Sequence, residues 1–64
     1  MFEQSKPGNR TYEIRLITGQ GKSMLFTTAS ATAQDAVEHA KGLMVRHDCD
    51  SGEVWCGMQL IRQL

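Results

Sequence analysis

A sheet with apolar residues on both faces needs two covers, and this chain has one helix to supply them. Tyr12, Ile14 and Leu16 alternate with Thr11, Glu13 and Arg15, the period of a strand with one buried side. Residues 23–29 alternate less cleanly, with Met24 and Phe26 on one side and Leu25 on the other. Val54, Cys56, Met58 and Leu60 share one parity of the last segment, while Trp55 and Ile61 share the opposite one. One helix shields one face of such a sheet, so the second face is expected to meet another chain.

The length of 64 residues gives room for a single domain. At this size folding buries only about 60% of the surface exposed by the unfolded chain, so an intimate dimer would add needed burial. With 41% hydrophobic and 22% charged residues the composition is that of a folded protein. Seven basic residues balance seven acidic ones, which leaves no overall field to draw in nucleic acid or anionic lipid. The balance conceals an asymmetry. From Gln4 to Gln34, Lys6, Arg10, Arg15 and Lys22 stand against Glu13 alone, whereas from Asp35 to Glu53, Asp35, Glu38, Asp48, Asp50 and Glu53 outnumber Lys41 and Arg46.

Residues 1–9, with Ser, Lys, Pro, Gly and Asn and no periodicity, read as a flexible tail ahead of a domain over residues 10–64. Strands are predicted over 12–18 and 23–29, joined through Gly19-Gln20-Gly21, where positive backbone angles are cheap. Ala33, Ala36, Val37, Ala40, Leu43 and Met44 recur at helical spacing, and Thr32 stands where an N-cap is needed, with Ser30 the competing cap. Asp48, Asp50, Ser51 and Gly52 predict a loop, and 54–64 a single long strand that overhangs the hairpin. The expected fold is α+β: a small ββαβ domain whose three-stranded, mainly antiparallel sheet has the order 2-1-3 and carries one helix on one face.

Three motifs invite chemistry. Gly19-Gln20-Gly21-Lys22-Ser23 resembles the end of a phosphate-binding loop, but Leu16 stands where that loop needs its first glycine, and a strand follows instead of a helix. His47, Cys49, Asp50 and Cys56 supply zinc-ligand atoms without the paired spacing of a structural site, so no metal and no cofactor is expected. A cysteine nucleophile needs a lowered pKa and an enclosed pocket, and Cys49 between Asp48 and Asp50 has its thiolate disfavoured. No catalytic residue and no enzymatic activity is therefore expected. The polar start of the chain and the lack of a long apolar run lead to an expectation of a cytoplasmic protein with free thiols and no membrane partner.

Trp55, Ile61, Ile17 and Leu25 fall on the face away from the helix and form the expected interaction surface. A bulge at Gly57 would turn Trp55 inward instead. The sequence thus predicts a small homodimeric protein-interaction module, self-associating through the uncovered face or the long last strand, with the acidic helix free for another protein. The alternative is nucleic-acid binding through the basic hairpin, with Arg10, Arg15 and Lys22 on phosphates and Tyr12 or Trp55 stacked on a base. Residues 12–44 resemble the strand–strand–helix end of the arm-type DNA-binding domains of integrases, which would imply that second role. This resemblance carries no residue-specific motif, and those domains usually place three strands before the helix.

Overall fold

The computed structural model describes residues 9–64, so the expected tail lies outside the described residues except for Asn9. Four antiparallel strands and one helix follow in the order β1 (Arg10–Thr18), β2 (Ser23–Ser30), α1 (Ala33–Arg46), β3 (Cys49–Cys56) and β4 (Gln59–Gln63). The sheet order is β2-β1-β3-β4. The α+β class, the antiparallel sheet and the 2-1-3 arrangement stand as the sequence predicts them, and a fourth strand extends the sheet beyond β3.

Alternation decides β1: Tyr12, Ile14 and Leu16 are buried beneath the helix while Thr11, Arg15 and Ile17 are exposed. The turn into β2 is organised by Thr18. Its N–H donates to Lys22 O at 2.9 Å, its carbonyl accepts from Gly21 N at 2.9 Å, and its Oγ1 accepts from the Gln20 and Lys22 amides. Gly21 has φ +86°, a conformation that disfavours a side chain. Gly-Lys-Ser therefore closes a hairpin. Across it Phe26 pairs with Ile14 and Met24 with Leu16, which puts both on the helix side against the core and leaves Leu25 outward.

The helix begins where Thr32 Oγ1 accepts from Asp35 N at 3.1 Å, a cap that satisfies one of the orphan amides of the first turn. It ends at His47, whose N–H reaches Leu43 O, and Asp48 follows in the left-handed region with φ 57°, a conformation that Asp tolerates better than most residues. Ala36, Val37, Ala40 and Leu43 are buried along one stripe. With Tyr12, Ile14, Leu16 and Val54 they make the core, edged by Met24, Phe26, Met44, Cys49, Cys56, Ile61 and others.

Two expectations fail after the helix. Residues 49–53 form the first half of β3 and not a loop, because β3 pairs antiparallel with β1 from Thr18 opposite Cys49 to Glu13 opposite Trp55. A register irregularity beside Thr18 accommodates the extra residue, and pairing to a central strand outweighs the turn preference of Asp50, Ser51 and Gly52. Gly52 matters here because it is buried, and a Cβ on it would meet Leu16 Cδ2 at 2.6 Å.

The long last strand is also a misreading. The chain reverses at Gly57-Met58, with Cys56 opposite Gln59, so 54–64 is a hairpin. Gly57 has φ +63° at the first central position, the glycine placement of a type II′ two-residue turn. Past the reversal the faces exchange. Leu60 pairs with Trp55 on the open side, while Ile61 packs against the helix-side core.

Candidate interaction surface

The face opposite the helix is built by the odd residues of β1 and β2 and by Ser51, Glu53 and Trp55 of β3. Arg15 lies between Leu25 on β2 and Glu53 on β3, and Glu13 lies between Thr27 and Trp55. These pairings place the side chains of Glu13, Arg15, Glu53 and Trp55 in one cluster. The Arg15 guanidinium sits 4.7 Å from the centroid of the Trp55 ring, within cation–π range. Arg15 Nη2 also donates to Glu13 Oε1 at 3.2 Å, and Trp55 Nε1 donates to Glu53 Oε1 at 2.9 Å. Trp55 keeps its ring on the open face and its one polar atom satisfied.

Around this cluster exposed aliphatic side chains stand among small polar ones, Ser23, Thr27, Ser51 and Gln63. Leu25 is 63% exposed, Leu60 41% and Ile17 37%, with nothing among the described elements laid over them. A groove of about 430 Å³ runs beside the cluster, lined by Arg15, Ile17, Leu25, Ser51, Glu53 and Gln63 among others. Its floor is sheet, its walls are aliphatic, and both charge signs stand at its rim. Such a surface suits a polypeptide better than a small polar metabolite.

Of the expected interface residues, Trp55, Ile17 and Leu25 are together on this face. Ile61 is not among them, since the turn at Gly57 carries it to the other side and Leu60 takes the place next to Trp55. Glu13 and Glu53 belong to the cluster although the sequence argument passed over them as interface residues. The signal was present: Glu13 and Arg15, like Glu53 and Trp55, are two residues apart on a strand and must share a face.

The basic residues of the hairpin do not converge. Arg10 pairs with Ser30 at one end of β1, and Lys22 lies past the other end, about 26 Å away at ~3.3 Å per residue. Arg15 stands between them, engaged with Glu13 and Trp55.

The cysteines are likewise separate. Cys49 and Cys56 are free thiols at the two ends of β3, roughly 23 Å apart by strand rise, beyond the reach of a disulfide. Cys49 Sγ donates weakly to His47 O at 3.7 Å, and the His47 ring leans on Phe26 with centroids 5.4 Å apart. Among the described residues no group of three or more His, Cys, Asp or Glu side chains is placed to hold a metal ion, and no helix is long and apolar enough to cross a membrane. Comparison of the chain with protein-family models, with curated proteins and with solved structures finds no match.

Proposed function

We propose that the chain is a small, non-enzymatic protein-interaction module that works as a homodimer, burying the open sheet face of one copy against that of another. The observation that carries this reading is the group of Trp55, Ile17, Leu25 and Leu60 on a face over which no element of the described residues is laid.

Two arguments favour a second copy as the occupant. The rim is self-complementary, because Glu13 and Glu53 flank Arg15, and a two-fold axis through the face lets the Arg15 of each copy meet a carboxylate of the other. The size is also adequate. Strands of 9, 8, 8 and 5 residues, at ~4.8 Å spacing and ~3.3 Å per residue, give somewhat under ~500 Å² of projected face per copy, so two faces together approach the ~1,000 Å² at which specific interfaces begin. We place this dimer in the cytoplasm, where Cys49 and Cys56 remain thiols. The nucleic-acid alternative has less support, since Arg10, Arg15 and Lys22 are spread along the hairpin.

The test is solution mass by light scattering during size-exclusion chromatography, with Trp55 fluorescence followed across a dilution series. Trp55→Lys is expected to halve the mass while far-UV circular dichroism stays native, and wild-type emission is expected to shift red on dilution. A folded Trp55→Lys variant with the wild-type mass would overturn the reading.

A further inference from the structure

The sheet has two edges, and they are not equally protected. Exposed strand edges present unpaired N–H and C=O groups, which proteins usually guard with charge, proline, a bulge or brevity. The β4 edge has three of those guards: it spans five residues, carries Arg62, and has a register irregularity against β3. The β2 edge has none. Its eight residues, Ser23-Met24-Leu25-Phe26-Thr27-Thr28-Ala29-Ser30, include no charge, no proline and no glycine, and its pairing to β1 runs without a bulge. No strand among the described residues pairs with its outer side.

Hydrogen bonding fixes which β2 groups are free. Thr18 and Lys22 form a directly bonded pair at the start of the hairpin. Bonded and non-bonded pairs alternate along an antiparallel ladder, so Met24, Phe26, Thr28 and Ser30 direct their backbone groups to β1. Ser23, Leu25, Thr27 and Ala29 direct theirs outward.

We infer that the β2 edge is a second self-association surface, on which the β2 strand of another copy pairs antiparallel about a two-fold axis at Phe26. This register satisfies every constraint at once. It sets Leu25 opposite Thr27 and Ser23 opposite Ala29 of the second copy, so all four outward-facing residues exchange both backbone hydrogen bonds. It keeps both helices on the same side of one continuous sheet of eight strands, with Met24 facing Thr28 and Phe26 facing Phe26 on the helix side. No cross-strand pair brings like charges together, and an aromatic pair lies on the axis. Shifting the register by one residue in either strand would oppose helix-side and open-face residues, which the two-sided burial pattern forbids.

The edge surface is distinct from the open face and goes beyond the dimer proposed above. Together the two contacts close four copies around perpendicular two-fold axes. Thr27 separates them experimentally. Its N–H points away from β1, so Thr27→Pro removes no bond within the sheet and edge strands tolerate proline there. Thr27→Val changes the side chain and keeps the N–H. Solution mass by light scattering is expected to show four chains for wild type and Thr27→Val, and two for Thr27→Pro. Ala29→Pro, whose N–H also points outward and whose side chain lies opposite Thr11 away from the Trp55 cluster, is expected to behave like Thr27→Pro and replaces it should that variant fail to fold. A wild-type mass of two chains, unchanged in folded Thr27→Pro or Ala29→Pro but halved in Trp55→Lys, would overturn the edge and leave the open face standing. A mass halved by the proline variants but not by Trp55→Lys would do the reverse.

Discussion

Gly52→Ala tests the packing that lets the helix sit over β3 and its neighbour β1. Gly52 is buried opposite Leu16, and an added Cβ would lie 2.6 Å from Leu16 Cδ2, 3.3 Å from the Arg15 carbonyl oxygen and 3.5 Å from Met44 Sδ. Carbon atoms prefer about 3.5–4.0 Å, so the overlap with Leu16 is roughly 1 Å. Leu16 has 0% exposure, so relief of the clash requires its side chain to leave the position it packs in. Overpacking of this kind typically costs about 1–3 kcal/mol, and replacing a strand glycine by alanine returns about 0.5–1 kcal/mol. The net expectation is a loss centred near ~1 kcal/mol and reaching at most about 2.5 kcal/mol, out of a total of about 3–10 kcal/mol for a domain of this length. At ~4–8 °C per kcal/mol the central value lowers the melting temperature by roughly 4–8 °C. Thermal and urea unfolding followed by circular dichroism, at one protein concentration so that association is held fixed, reads the change. The cause is isolated with Leu16→Val, which removes the clashing Cδ atoms: its own cost should shrink in the Gly52→Ala background. A Gly52→Ala variant as stable as wild type, or strict additivity of the two substitutions, would refute the argument.

The helix supplies two smaller expectations of opposite sign. Gly42 is exposed in the middle of α1, and nothing lies within 4 Å of where its Cβ would stand, so Gly42→Ala should stabilise the domain by about 0.8–1 kcal/mol and raise the melting temperature by several degrees. Thr32→Ala removes the acceptor for Asp35 N and should lower stability by ~0.5–2 kcal/mol, with Thr32→Ser retaining most of it; both are read by the same unfolding measurements.

What the sequence disclosed, it disclosed through local patterns. The helix was legible because its stripe and its cap lie within a few residues of each other, and the stop at Arg46 needed only Asp48 and the polar residues beyond. The first hairpin was legible for the same reason, with alternation in β1 and glycines in the turn. The start of β3 was hidden because Asp50, Ser51 and Gly52 carry turn chemistry that only a partner strand overrides, and the partner, β1, is more than thirty residues away in sequence. The second hairpin was hidden differently. Apolar residues continue at even positions straight through the reversal, at Cys56, Met58 and Leu60, so parity counting meets no interruption. Met58, 96% exposed at the turn, is the residue that made the count mislead, and Gly57 was the available warning. The consequence for the site was limited to one exchange, Leu60 for Ile61, because Trp55, Ile17 and Leu25 all precede the turn.

That second hairpin also relocates the liability of the fold. A single long strand would have left its excess length as the free edge on the β3 side. Folding the same residues back covers β3 with β4 and ends that side in a short strand with an irregular register and an arginine. The unguarded edge is then β2, on the opposite side of the sheet, and Leu25 lies at its centre while also being the most exposed apolar residue of the open face. The helix intensifies this arrangement, since it lies chiefly over β3 and fills the core with small Ala36 and Ala40 side chains. Among the described residues eight make up the buried apolar core, little for a domain of this size to rest on. The association proposed above, through surfaces that meet at Leu25, would add apolar burial where the small core has least, and would cover an edge that carries none of the usual guards.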